Sequence, residues 1–237
     1  MKEMTIGIYV PSYRRSDRIL TQNIFEECTY VVRKSEEEAY RKAGVKKIWA
    51  VEDEYIDDGD KVIYYIVENA KEDIIVCADD DIGDIKYLLD DITPLKCDKE
   101  KITDEFYRIG QIIYDLRIGL ATTPPTCIPY NYDREFVFKG VPGAIKWFNK
   151  DVFKAKLDRS VSENFDIDMV MQELLYNRII LLPKYINDDG VMDVNAGGNS
   201  SRKRQDQIDS VTNMKARWGK YFDYDFNKNK PKINIDR

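Results

Sequence analysis

Four carboxylates crowd one short stretch of this chain. The segment IIVCADDDIGD sets Asp79, Asp80, Asp81 and Asp84 directly after the apolar run 74–77. Adjacent carboxylates repel one another and lose hydration when partly buried, so a bound cation is their natural compensation. In an extended segment alternate side chains share a side, which lets Asp79 and Asp81 face one ion while Asp80 points elsewhere. Ligands of this kind select Mg²⁺, Mn²⁺ or Ca²⁺ rather than zinc or copper. A solvated acidic turn is the alternative, and the position at the end of a buried strand is what favours the metal site. A second acidic segment, ENFDIDMVMQELLYNRIILLP, opens a helical pattern with Asp166 and Asp168. A carboxylate at that position can cap the helix.

The chain contains no histidine. That excludes Ser-His-Asp and Cys-His nucleophilic chemistry, HExxH zinc sites and histidine bases, and leaves the work to its 43 Asp and Glu residues. The net charge of −6 is unevenly spread. Residues 200–237 carry ten Lys and Arg against five Asp, so the rest of the chain is strongly acidic. This tail is either a solvated surface or a basic face for a polyanion, donor pyrophosphate or nucleic acid. Cys28, Cys77, Cys97 and Cys127 show no CxxC spacing, which implies a reduced, cytoplasmic protein without a zinc cluster. No apolar run is long enough for a membrane span, and residues 1–10 read as a strand rather than a signal peptide.

The elements that must position the carboxylates alternate. Strands are expected at residues 5–10 (TIGIYV), 29–32, 47–51 and 74–77, with helices at 16–27, from Ser35 to Gly44, and at 61–70. Strand–helix alternation implies an α/β fold with a parallel sheet and right-handed crossovers. Such sheets bind ligands beyond the carboxyl ends of their strands, so segments 11–15, 33–37 and 78–81 should meet in one crevice. Further along, a helix is expected at 101–118, strands at 135–139, 144–148 and 178–182, short helices at 151–156 and 167–176, and one more periodic stretch at 208–221.

With DxD at the end of the fourth strand, the chain resembles the GT-A glycosyltransferases over roughly residues 5–200. The resemblance rests on YVPSYRR after the first strand, DDGDKVIYYIVENA before the DxD strand, GVPGAIKWFNKDVF, and the Asp166/Asp168 segment. It implies a GT-A (Rossmann-like), mostly parallel sheet flanked by helices over residues 1–199, with a basic C-terminal extension at 200–237. Asp79 and Asp81 would hold Mn²⁺ or Mg²⁺ between the two phosphates of a nucleotide-sugar donor, expected to be a UDP-sugar. The donor-binding set implied is Pro11, Tyr13, Arg14, Arg15, Lys61, Asp80 and Arg202, with Lys203 and Arg204 beside it. Asp166, with Asp168 second, would be the catalytic base; Phe165 stands where the family's Glu is usual. A third metal ligand would come from Asp188, Asp189, Asp193 or Asn195, or from water, and Gly197 and Gly198 suit a mobile lid.

For the acceptor, the composition resembles that of small phage glycosyltransferases acting on hydroxymethylpyrimidine in double-stranded DNA. Lys215, Arg217 and Lys220 interleaved with Trp218, Tyr221 and Phe222 would suit a nucleic-acid edge. A cell-surface or small-molecule acceptor is the alternative. Two rival classes stay open: a sugar-1-phosphate nucleotidyltransferase, whose glycine-rich first loop is missing here, and a binding protein on the same fold.

Overall fold

The computed structural model describes residues 3–88, 94–96, 98–125, 134–190 and 203–236. Its centre is a six-stranded sheet in the order β3-β2-β1-β4-β9-β7. β1 (Ile6–Pro11), β2 (Thr29–Arg33), β3 (Ile48–Val51) and β4 (Ile74–Ala78) run parallel. β9 (Ile145–Asn149) pairs antiparallel to β4, with Ile75 opposite Phe148, and β7 (Leu120–Thr122) pairs antiparallel to β9. The sheet is therefore mostly parallel, as the resemblance implied, with β9 running against its neighbours. The step from β4 to β9 follows no regular crossover, so local periodicity did not announce it.

β4 is buried along its whole length because both faces of the sheet are covered. Ile74, Val76 and Ala78 face one core with Ile102, Phe106, Ile109 and Ile113 of α3 (Lys99–Asp115). Ile75 and Cys77 face the other, with Ile63, Ile66 and Val67 of α2 (Gly59–Asn69) and Met169, Val170 and Leu174 of α4 (Phe165–Tyr176). The period of two along the strand sorts its side chains between the layers. Asp98 starts α3 by accepting from Lys101 N at 2.9 Å, and Asp58 starts α2 by accepting from Gly59 N at 2.7 Å.

A second, antiparallel sheet, β11-β5-β6, leaves the central one just past the acidic turn. It joins β5 (Ile82–Leu88), β6 (Pro94–Lys96) and β11 (Ile186–Gly190), and Asp188 pairs with Ile85. β8 (Phe136–Val137) and β10 (Leu182–Pro183) form a short ribbon. After α1 (Glu37–Lys42) and the helices above, the chain ends in α5 (Arg204–Trp218) and a hairpin of β12 (Phe222–Asp225) and β13 (Lys230–Ile233).

Three expected helices differ. Residues 16–27 form only a 3₁₀ turn at Thr21–Asn23, because Thr21 is needed elsewhere: it is fully buried and bonds the acidic turn. Residues 151–156 are non-helical, since the amides of Lys154, Ala155 and Lys156 donate to Glu173 and Gln172 instead of to a helix. Ser35 does not cap its helix, because its hydroxyl donates to Asp53 at 2.5 Å. Cys28 and Cys77 are buried free thiols, and burial pushes Cys28 up to about 11. Cys97 and Cys127 lie outside the described residues.

Gly143 tests the packing at the end of β9. A Cβ there would sit 2.6 Å from Pro124 O and 2.7 Å from Thr123 O, both backbone atoms. Neither yields easily, because Gly143 N donates to Thr123 O at 2.7 Å and Thr123 N to Ile145 O at 3.0 Å. Gly143→Ala should therefore lower stability by about 1–3 kcal/mol, the range for overpacking. The denaturant midpoint is the measurement, and an unchanged midpoint would contradict the crowding.

Candidate functional site

The acidic turn is fixed by its backbone before any ligand arrives. Asp79 N donates to Ala144 O at 3.2 Å, tying the end of β4 to the start of β9. Thr21 Oγ1 donates to Asp79 O at 2.8 Å and accepts from Ile82 N at 3.2 Å, closing the turn from the loop after β1. The three loops expected to meet do so. Ser12 Oγ donates to Asp80 Oδ2 at 2.5 Å and lies 2.7 Å from the Tyr40 hydroxyl. Arg15 Nη1 spans Asp80 Oδ1 at 2.5 Å and Asp81 Oδ2 at 3.2 Å. Arg14 N donates to Glu36, and Arg33 lies over the Tyr13 ring at 3.9 Å.

Within this crevice the carboxylates separate by environment. Asp79 is exposed to solvent on one side and crowded by protein on the other. Desolvation pushes its carboxyl up to about 7; Lys146 works against this, and Asp81, Asp80 and Asp188 add to it. Asp80 is buried, with its carboxyl raised by desolvation and held back by Ser12 and Arg15. It thus orders the first loop through Arg15 and Ser12, which engage both of its oxygens. Asp188 is also raised by desolvation, with Thr123, whose hydroxyl donates to it at 2.7 Å, and Lys146 opposing. Asp188, one of the four residues offered as a third ligand, comes within electrostatic range of Asp79, and the side chain of Asp189 lies outside what is described. Asp193, Asn195, Gly197 and Gly198 lie outside the described residues, as does Arg202.

Other expected donor contacts are placed as follows. Pro11 ends β1, paired with Val31. Tyr13 has Arg33 over its ring at 3.9 Å and Arg14 at 4.9 Å, so guanidinium groups cover the surface proposed for a base. Arg14 holds a positive φ of 55°, which a non-glycine residue adopts only under constraint. Lys61 pairs with Asp57 at 2.8 Å, which holds it at the start of α2. Arg15 Nε is a buried donor without an acceptor among the described residues.

The two candidate bases part company. Asp168 is 1% exposed and its carboxylate is fully engaged: Trp218 Nε1 donates at 2.7 Å, Gln172 Nε2 at 2.7 Å, and Arg217 Nε lies at 3.3 Å. Desolvation raises its carboxyl against these three partners. It anchors the fold and cannot meet a substrate. Asp166 is half-buried on the first turn of α4, with one oxygen accepting from Ile167 N at 2.8 Å and the second without a hydrogen-bond partner among the described residues. Its turn is linked to the acidic site through the segment 140–143: Val141 packs on the cluster that contains Ile167, and Ala144 receives Asp79 N.

The cations offered to nucleic acid are used within the molecule. Lys215 pairs with Asp223 at 2.9 Å, and Arg217 with Asp158 at 2.5 Å. Trp218 donates to Asp168.

One functional candidate escaped the sequence reading. Lys146 is 5% exposed in β9 and donates from Nζ to Gly143 O at 2.8 Å, within electrostatic range of Asp79 and Asp188. The signal was a lysine inside the otherwise apolar AIKWF, where a charge is tolerated only beside opposite charge. No three acidic groups among the described residues converge closely enough to enclose a metal ion by themselves. None of their helices is long and apolar enough to cross a membrane.

Comparison with solved structures places this geometry in a known architecture. The chain is similar to glucosyl-3-phosphoglycerate synthase from Mycobacterium tuberculosis in complex with Mn²⁺, UDP-glucose and phosphoglyceric acid. The TM-score is 0.54, with 9% identity over 97% of this chain and 86% of that one. The UDP complex of that enzyme gives 0.54 and 10% identity, over 97% and 87%. Its Mg²⁺ and UDP complex gives 0.51 and 8%, over 97% and 87%. No protein-family model and no curated protein matches the chain. At such identities the likeness shows the fold, a GT-A, Rossmann-like architecture with a mostly parallel sheet flanked by helices.

If Lys146 is the resident counter-charge of this cluster, Lys146→Met should unsettle it. At pH 8, above the value of about 7 for Asp79, the variant should lose about 2 kcal/mol of stability in metal-free buffer, roughly 4–8 °C in Tm. Added Mn²⁺ should narrow the gap to wild type. A gap that Mn²⁺ leaves untouched would remove Lys146 from the site.

Proposed function

We propose that the chain is a metal-dependent glycosyltransferase that moves a sugar from a nucleoside-diphosphate donor, a UDP-sugar, to an acceptor hydroxyl. The observation that carries this reading is the Asp79/Asp81 turn at the carboxyl end of β4, where three adjacent carboxylates share one crevice with Asp188 and draw Arg15 and Lys146 beside them. The likeness in fold to an enzyme solved with Mn²⁺ and UDP-glucose supports it.

The donor set fits a hard divalent cation. It offers carboxylate oxygens in a negative surplus and no nitrogen or thiolate ligand, which suits Mn²⁺ or Mg²⁺. Asp79 and Asp81 would hold the ion, with Asp188 in electrostatic range of Asp79. When bound, the ion neutralises charge on the departing diphosphate. The chain's own residues do the rest. Arg15 turns its guanidinium between the acidic turn and the first loop, with the Nε donor left for a phosphate or ribose oxygen. Arg14, Tyr13 and Arg33 form a cationic, stacked edge to the same crevice. Gly143 lets the segment entering β9 lie close to the backbone of Thr123 and Pro124, and Asp166 takes the proton from the acceptor hydroxyl as that oxygen attacks the anomeric carbon.

The test is release of UDP from UDP-sugars with Mn²⁺ or Mg²⁺, with small-molecule glycosyl acceptors and hydroxymethylpyrimidine DNA as separate arms. Asp79→Ala with Asp81→Ala should abolish metal-dependent release. Asp166→Asn should lower transfer by about 10²–10⁴-fold while donor binding persists. Turnover that ignores both metal and the Asp79/Asp81 change would refute the transferase reading. Donor binding without turnover under any arm would establish a binding protein instead.

A further inference from the structure

Among the described residues, the first turn of α4 is capped locally only at Ile167 N, which donates to Asp166 Oδ1, and at Phe165 N, which donates to Ser162 O. Asn164 is its N-cap residue, yet its side chain makes no capping bond to the helix. Both ends of that amide turn to α5: Nδ2 donates to Ser210 Oγ at 2.9 Å, and Oδ1 accepts from Gln207 Nε2 at 3.4 Å. An N-cap side chain ordinarily satisfies a free amide of the first turn, so its diversion leaves that turn dependent on its surroundings. The approach to the helix is irregular as well, with Val161 at φ −121° and ψ 26° inside a 3₁₀ turn.

What the turn lacks locally, α5 supplies. Asn213 donates to Ser160 O at 2.7 Å, and Arg217 pairs with Asp158 at 2.5 Å. Arg217 and Trp218 together hold Asp168, at 3.3 and 2.7 Å. Ser210, Asn213 and Arg217 recur at helical spacing on one side of α5, and Val211 and Met214 pack beside them against Val161 and Ile167. The grip thus covers the chain on both sides of Asp166, from Asp158 to Asp168, while leaving the Asp166 carboxylate itself untouched.

We infer that α5 is a positioning element for Asp166, acting through the Trp218–Asp168 and Ser210–Asn164 bonds. This rests on the reading of Asp166 as the group that takes the acceptor proton. A side chain on a self-sufficient helix turn would need no such clamp. Here the conformation of residues 164–168 is decided by contacts with a segment some forty residues later, and small displacements of a reacting group reduce rates sharply.

The experiment is a double-mutant cycle in the full chain, with Trp218→Phe and Asp166→Asn alone and combined, assayed well below the melting temperature. Trp218→Phe keeps the ring and removes the donor to Asp168. Expected is a fall of about 10–100-fold in kcat, unchanged donor KM, and a displaced acid limb of the kcat–pH profile. Added to Asp166→Asn, it should have little further effect, because it acts through that carboxylate. Where Asp166→Asn leaves too little turnover for the cycle, the acid limb decides. Should Trp218→Phe fold poorly, Asn213→Ala tests the same clamp. Wild-type kcat in the folded variant, or a loss that multiplies in full with Asp166→Asn, overturns the inference while the base assignment stands. Full activity in Asp166→Asn alone overturns the base assignment first, and absence of any transferase turnover removes both.

Discussion

The structure depends on holding several negative charges at the tip of one buried strand. β4 has no solvent on either face, and Asp79, Asp80 and Asp81 follow it without a break. Water cannot screen them fully, so the protein distributes the charge among fixed partners. Asp80 turns inward to Ser12 and Arg15, Asp81 shares Arg15, and Asp79 lies in range of Lys146 while keeping an open side. The arrangement is stable without being neutral. The surplus around Asp79 is the feature on which the proposed cation site rests.

The surrounding architecture follows from that placement. Parallel strands deliver the loops after β1, β2 and β4 to one end of the sheet, and the buried hydroxyl of Thr21 pins the acidic turn from the first of them. On the opposite flank, the reversal of direction at β9 brings Ala144 and Lys146 to Asp79. The antiparallel pairing of β11 with β5 returns Asp188 to the same place from a hundred residues away. Each side of the crevice thus has a different origin in the chain, and each ends on a polar group.

Acidic residues that look alike in sequence end in different roles because burial and partners differ. Asp166 and Asp168 are two residues apart on one helix. One retains a free oxygen, whereas the other is enclosed by Trp218, Gln172 and Arg217 and fastens α5 to α4. The basic character of the C-terminal segment has a related explanation: Arg217 neutralises Asp158 of the body, while Lys215 pairs within the segment with Asp223 of the hairpin.

The sequence by itself determined the parallel half of the sheet, the run of strands at β1 to β4 and the acidic turn that follows them, because these depend on local periodicity and on a buried strand meeting a cluster of like charge. It also determined, by the lack of any histidine, that the chemistry rests on carboxylates. Tertiary structure alone decided the rest. Residues 16–27 carry helical spacing, yet Thr21 is drawn to the backbone of Asp79, and that long-range bond outweighs local propensity. Asp188 and Lys146 join the site through strand pairings that no short window of sequence contains. Asp166 and Asp168 could not be told apart until Trp218 arrived from fifty residues away, since solvation is a property of the assembled neighbourhood and not of the helix that bears them.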